Sequence, residues 1–297
     1  MRHPISRSKV VRLAALLAMT LIGVTARAQE QDPAPEQAAP PSLAWQPGPL
    51  EAPIGDALAR IDLPEGYIFL DQQDTAKLLE LMQNPVSGSE LATIAPAAED
   101  QSWMIFFEWD PVGWVDDAEK DELDADALLE SIQEGTQQAN EERESRGWPT
   151  IEIVGWHEAP HYDERTQNLT WAITGKSEGR PLLNRMVKLL GRRGVMTVTI
   201  VSDPEEIAAA SAATDQLLGG YRFEAGSSYA EYVPGTDKIA SYGLTALVAG
   251  GLGAAAVKSG LLGKFWKFLV VIAVGAVAGV RRLVMGRKHI ADPPTPV

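Results

Sequence analysis

Cysteine is absent from the 297 residues, so neither a disulfide framework nor a thiolate-held metal can belong to this fold. Histidine is scarce: there are four, and two of them, His3 and His289, stand close to the ends of the chain. Basic charge is thin in the middle, where residues 29–237 hold 39 acidic side chains against 13 Lys and Arg. Such a body is repelled by nucleic acid, whose binding needs its phosphates neutralised, and nucleic acid is set aside as a partner. Long hydrophobic runs are missing too. The longest uncharged stretch, Ile239 to Val257, has nineteen residues, and the next candidate, Phe268 to Val280, has thirteen. A helix crossing a bilayer takes about 20, so the first is long enough but weakly hydrophobic, being rich in Ala and Gly, and the second is short.

What is present at the ends is targeting chemistry. Arg2, Arg7, Lys9 and Arg12 precede an apolar run from Leu13 to Val24, and Ala26-Arg27-Ala28 supplies a small-x-small cleavage pattern. Residues 1–28 therefore read as a secretory signal peptide, with an uncleaved signal anchor as the other reading. Residues 29–49 read as a Pro-rich extended tether, in which Trp45 can dock locally. At the other end residues 238–290 read as a membrane anchor, with helices over about 239–257 and 265–285 and a tail over 291–297. Gly275 and Gly279 form a G-x-x-x-G that lets two helices approach closely, so the anchor is expected to be a transmembrane helical hairpin with one or two crossings. Its charges, Lys258, Lys264 and Lys267 against Arg281, Arg282, Arg287 and Lys288, barely separate the two topologies.

Residues 50–237 form the exported domain. Short strands are predicted over 57–63 and 66–70, followed by a helix capped by Asp74 and stopped by Pro85. Ser87 to Asp100 has little periodicity and reads as a loop. Trp103 to Trp109 is almost wholly apolar, as a central strand covered on both faces would be. A helix is predicted from Ala125 to Ser145, with Leu128, Ile132, Gly135 and Ala139 inward and close packing as the reason for Gly135. Glu142 and Arg146 form an i,i+4 pair on its outer side. Then comes a meander: strands over 151–156, 169–174, 182–190 and 195–201, with Gly191-Arg192-Arg193-Gly194 as a tight connection. A last helix begins with Asp203, Pro204 and Glu206 as cap, first residue and capping box, and presents Ile207, Ala210, Ala213 and Leu217. Tyr221 to Glu224 closes the domain as a strand. The predicted class is α+β: a mainly antiparallel sheet with about three packed helices, followed by the anchor hairpin.

Few motifs carry chemistry. His157-Glu158-Ala159-Pro160-His161 has the H-E-x-x-H spacing that places two zinc ligands on one helix face. Here it follows a strand, and Pro160 lies between the histidines, so a polar hairpin loop is the better reading; a third ligand would have to be a carboxylate such as Glu178. The nine acids between Glu108 and Asp126 suggest calcium. Counted from Asp117 or Asp121, however, the sixth position is Glu122 or Asp126 instead of the glycine an EF-hand needs. A solvated loop and acids at a helix N-terminus account for them. Gly175-Lys176-Ser177 lacks the earlier P-loop glycine, since Thr170 stands there, and no G-x-S-x-G elbow occurs. Asn168-Leu169-Thr170 is a formal sequon. Trp103, Trp109, Trp156 and Trp171 fall on predicted strands and read as core. No catalytic residue, metal or cofactor is assigned.

Several segments together resemble a bacterial family known as domain of unknown function 2167. They are Gly155-Trp156, Pro160 to Asp163, Leu169 to Ala172, Asn184, Leu190 to Val195 and Tyr242 to Gly251, and the likeness covers roughly residues 50–290. The resemblance implies a Gram-negative envelope protein, exported and C-terminally anchored, with no activity assigned. The late order of strands, helix and short strand also looks like the PsbP-like antiparallel fold, an analogy that carries no function. The expectation is a membrane-anchored, non-catalytic binding module in the inner membrane with its domain in the periplasm. Its partners would be the lipid bilayer and an envelope protein or ligand. The rivals are an envelope hydrolase, metal-assisted through His161, Asp163 and nearby carboxylates, and an assembly or stress factor acting through its anchor.

Overall fold

The computed structural model describes residues 43–249. The signal peptide, most of the tether, both anchor helices beyond Ala249, Gly275 and Gly279 lie outside those residues. Eight strands form one antiparallel sheet in the order β1 (Gln46–Pro47), β4 (Tyr67–Leu70), β5 (Glu90–Pro96), β6 (Met104–Asp110), β10 (Val195–Ser202), β9 (Arg180–Leu190), β8 (Asn168–Ser177) and β7 (Glu152–Asp163). A second sheet holds β2 (Leu50–Ile54), β3 (Ala59–Leu63) and β11 (Tyr221–Phe223), with β3 in the middle. The helices are α1 (Gln72–Leu81), α2 (Ala125–Ser145), α3 (Ile207–Leu218) and the short α4 (Leu244–Val248). The α+β class and the mainly antiparallel sheet are as the sequence predicts. Among the described residues no helix is long and apolar enough to cross a membrane.

Strand alternation sorts the core into two faces. Ile105 and Phe107 of β6 join Val198 of β10, the inner residues of β2 and β3, and Ile207, Ala210 and Leu217 of α3. Met104 and Phe106 point the other way, into a cluster with Leu78 and Leu79 of α1. Farther along that second face, Leu169, Trp171, Met186 and Leu190 receive Leu128 and Ile132 of α2 and Leu244 and Leu247 of α4. β6 is therefore covered on both sides, which is why its sequence shows no alternation.

The structure departs from the sequence reading at several places. Ser87 to Asp100 is not a loop: β5 lies within it, buried along most of its length between β4 and β6, so ELATIAP has no polar face to betray it. Asp71, not Asp74, caps α1, accepting from the Asp74 amide at 3.0 Å. Asp74 lies inside the first turn, taking Lys77 Nζ at 2.6 Å and the Ala44 amide at 2.7 Å, which ties down the end of the tether beside a docked Trp45. The capping box expected before α3 does not form. Glu206 instead accepts the hydroxyl of Ser102 at 2.5 Å and its amide at 3.1 Å, bracing the start of β6.

Gly135 is not packed against anything: a Cβ there meets no atom within 4 Å, and Thr136 takes the inward position. The Glu142–Arg146 pair does form, at 2.6 Å. The strands around Pro64 belong to different sheets. At the C-terminal end, backbone from Ile239 is extended, bridging Trp114, and helix begins only at Leu244. Leu244, Ala246, Leu247 and Val248 are all buried.

Candidate functional site

Between the α1 and α2 clusters the same face of the large sheet turns polar. Thr197 of β10 stands opposite Glu108 of β6 on one side and Lys188 of β9 on the other. Glu90 of β5 stands opposite Glu108. Opposed residues of antiparallel strands share a face, so Glu90, Glu108, Thr197 and Lys188 make one row across four strands. All are buried: Glu108 is 1% exposed, Glu90 3% and Lys188 7%. Isolated charges are costly in such a place, and the row contains the groups that offset one another.

Lys188 donates to Thr197 Oγ1 at 2.7 Å, and its Nζ lies 5.8 Å from the centre of the Trp171 ring, within cation–π range. Glu90 accepts the Ser87 amide, the Ser87 hydroxyl and the Gly88 amide, each at 2.7 Å. Glu108 keeps one buried oxygen, Oε2, with no hydrogen-bond partner. Two residues on, Asp110 lies on the same face at the end of β6 and accepts the Tyr242 hydroxyl at 3.1 Å.

Burial pushes the Glu108 carboxyl up to about 8; the charges of Glu90 and Asp110 push the same way, and Lys188 opposes them. Burial brings Lys188 down to about 8, with Glu108 and Asp110 opposing. Asp110 is also raised, by burial first. Burial thus works against the charged form of both Glu108 and Lys188, while each group's charge favours that of the other. A dissolved substrate cannot reach either.

A strap of chain closes the edge of this row. Gly113 donates to Arg193 O at 3.0 Å, and Trp114 exchanges backbone hydrogen bonds with Lys238 and Ala240 at 2.9 and 2.8 Å. Arg192 grips Asp237 with two bonds, at 2.7 and 3.0 Å. A Cβ on Gly194 would lie 2.2 Å from Asp110 O, so only glycine lets the β9–β10 hairpin lie against the end of β6. Glu119 accepts the Thr245 amide at 3.2 Å, where α4 begins.

The sequence-predicted candidates fall elsewhere. His157, Glu158 and His161 lie on β7, the sheet's edge strand, and not in a hairpin loop. Four residues of strand span about 13 Å, so the two rings do not meet as they would one helical turn apart. Glu158 instead pairs with Arg185 at 3.4 Å and approaches His161 at 3.6 Å. Asp163 accepts the Arg165 amide at 2.8 Å, and Glu178 sits at the far end of β8. No group of three or more His, Cys, Asp or Glu is placed to hold a metal ion among the described residues. The acidic stretch caps α2 through Asp124, while Asp117 accepts the Tyr162 hydroxyl. Lys176 and Ser177 are part of β8. Trp103 and Trp171 are core, and Trp156 donates to Ala125 O at 2.9 Å. The sequence reading missed Glu108 and Lys188. The signal was available: a single acid in WMIFFEW and a single lysine in MVKLL, each inside an apolar strand.

Among solved structures the chain is similar to the solution structure of cyanobacterial PsbP (CyanoP) from Synechocystis sp. PCC 6803, at 9% identity and a TM-score of 0.35, covering 65% of this chain and 97% of that one. It is also similar to the apo structure of the immunity protein TplEi of the T6SS from Pseudomonas aeruginosa, at 9% identity and a TM-score of 0.25, covering 56% and 72%. No curated protein matches. Residues 46–281 match the family described as "Protein of unknown function (DUF2167)", and the chain belongs to that family.

Proposed function

We propose that this is a membrane-anchored, non-catalytic interaction module of the Gram-negative cell envelope, with its domain in the periplasm and its anchor in the inner membrane. One observation carries the reading: the segment leading into the apolar tail is part of the domain core. Tyr242 bonds Asp110, and Leu244 and Leu247 pack with α2 and β8. Domain and tail are therefore joined without a flexible hinge up to Ala249, as suits a module whose binding state is passed to or from the membrane. Its strongest electrostatic feature, the Glu108–Lys188 row, is closed to solvent, which favours binding over turnover of a dissolved substrate.

The same observation narrows the anchor. Residues 239–248 serve the domain, so the first apolar run has too few residues left to cross a bilayer. The crossing falls to residues 265–285, with Lys267 snorkelling and Arg281 to Lys288 on the cytoplasmic side. On this reading residues 265–285 cross once, and the G-x-x-x-G of Gly275 and Gly279 suits close approach of another helix.

A single cysteine placed beyond His289 tests this, since the chain has none of its own. In intact cells stripped of their outer membrane it should resist an impermeant maleimide until the inner membrane is opened. Labelling before opening overturns the single crossing. Release of the whole chain into the soluble periplasmic fraction overturns the anchor.

A further inference from the structure

Large apolar side chains stand exposed at few places among the described residues, and two of them, Val233 (43%) and Ile239 (55%), belong to one strap. Beneath them Trp114 stacks on Tyr232 at 4.2 Å and on Tyr229 at 5.0 Å between ring centres. Ile239 bridges Trp114 through the backbone, and Val233 directly follows Tyr232, so the exposed residues adjoin the aromatic stack. The strap is held firmly: Asp237 receives Arg192 from the β9–β10 hairpin and the Val233 amide at 2.7 Å.

We infer that this surface, built from Trp114, Tyr232, Val233 and Ile239 with Lys238 at its rim, lies on the bilayer at the boundary of headgroups and acyl chains. The inference rests on the membrane reading above and adds an orientation to it. Where the chain goes next decides the occupant. The strap runs directly into α4, and the fifteen residues from 250 to 264 that precede the proposed crossing carry only Lys258 and Lys264 as charges. Fully extended they reach about 50 Å, and an apolar, basic segment favours the membrane interface over water. Tryptophan, tyrosine and a lysine rim match that layer, where an apolar body meets a polar edge. The acids near the stack, Asp116 and Asp117 beside Tyr229, stand off anionic headgroups. Insertion should therefore be deeper in zwitterionic vesicles than in anionic ones at low salt, with the difference shrinking as salt is added.

The experiment uses the full chain in liposomes, carrying one cysteine labelled with an environment-sensitive fluorophore at Val233, Ile239 or, as a control, Val154 on the exposed edge strand. Lipids bearing nitroxides and water-soluble acrylamide serve as quenchers. A label at Lys238 replaces any variant whose near-ultraviolet dichroism departs from that of the parent. The expected result is several-fold stronger quenching by nitroxide lipid at Val233 and Ile239 than at Val154, with the order reversed for acrylamide. Acrylamide quenching at all three sites in protein that floats with the vesicles overturns the docking surface and leaves the anchor intact. Protection from both quenchers, relieved by dilution into excess lipid, shows a second copy on the patch and also overturns it. A chain that fails to float removes the membrane reading and this inference together.

Discussion

Lys188 and Glu108 stand on strands that do not touch, and Thr197 of the strand between them lies opposite both. The lysine bonds that threonine, and the carboxylate keeps a buried oxygen with no partner. The register of three strands brings the row together, and its energetics should respond to either partner.

Removing one partner leaves the other charge in the core. Lys188→Met should cost most, up to about 3–5 kcal/mol, above pH 8, where the Glu108 carboxyl left behind is ionised, and least near pH 6, where burial keeps it protonated; Glu108→Gln leaves the lysine facing Asp110 alone. The double variant should recover most of the loss, because a neutral pair of comparable volume replaces two desolvated charges. Urea unfolding of the three variants measures this coupling.

The pH dependence has a definite sign. Glu108 is raised from 4.5 to about 8 on folding, so its contribution is fully present below pH 4.5 and is lost as pH rises through about 8. Lys188 is lowered from 10.5 to about 8, so its contribution is present above pH 10.5 and is lost as pH falls through about 8. The two contributions meet in a stability minimum near pH 8. Unfolding free energies measured from pH 5 to 10 should show it in the parent, and the double variant should flatten the curve. A parent curve that peaks near pH 8 would contradict the assignment.

At the edge of the row, Gly194→Ala drives a methyl group into the Asp110 carbonyl, and Gly113→Ala adds a clash with Lys238 O at 2.6 Å to an unfavourable φ of 106°. Each should lose about 1–3 kcal/mol or fail to fold. Gly135→Ala, in open space on α2, should gain up to about 1 kcal/mol. Thermal unfolding orders the three variants.

His157→Ala and His161→Ala act on exposed positions of an edge strand. Stability should change by no more than about 0.5 kcal/mol, and zinc measured in the purified protein should be unchanged. A stoichiometric metal lost in either variant would restore the hydrolase reading.

The meander after Thr150 was legible because each strand there is bounded by turn residues and alternates or is wholly apolar. β5 was not, because both of its faces are covered by core, Ala92 and Ile94 on one side and Ala95 on the α1 side, so it shows no polar alternation. α3 was placed correctly with the wrong start: Asp203 and Glu206 have the spacing of a local cap, but both carboxylates reach Ser102 from another part of the chain. Glu108 and Lys188 each show as a lone charge in an apolar run, but that the two meet does not. Glu108 and Lys188 become neighbours only through the pairing of β6 with β10, and nothing local announces that pairing.

That pairing also has a temporal side. β6 and β10 are the junction where an earlier meander, β4 to β6, meets a later one, β7 to β10. Glu90 and Glu108 lie in the first and Lys188 in the second. As the chain is made, the two acids emerge well before the lysine that offsets them, and water must serve them until it arrives. Closing the early half alone would bury Glu90 and Glu108 side by side without Lys188. A chain cut short before β9 should therefore be left with an acidic, unfinished sheet edge.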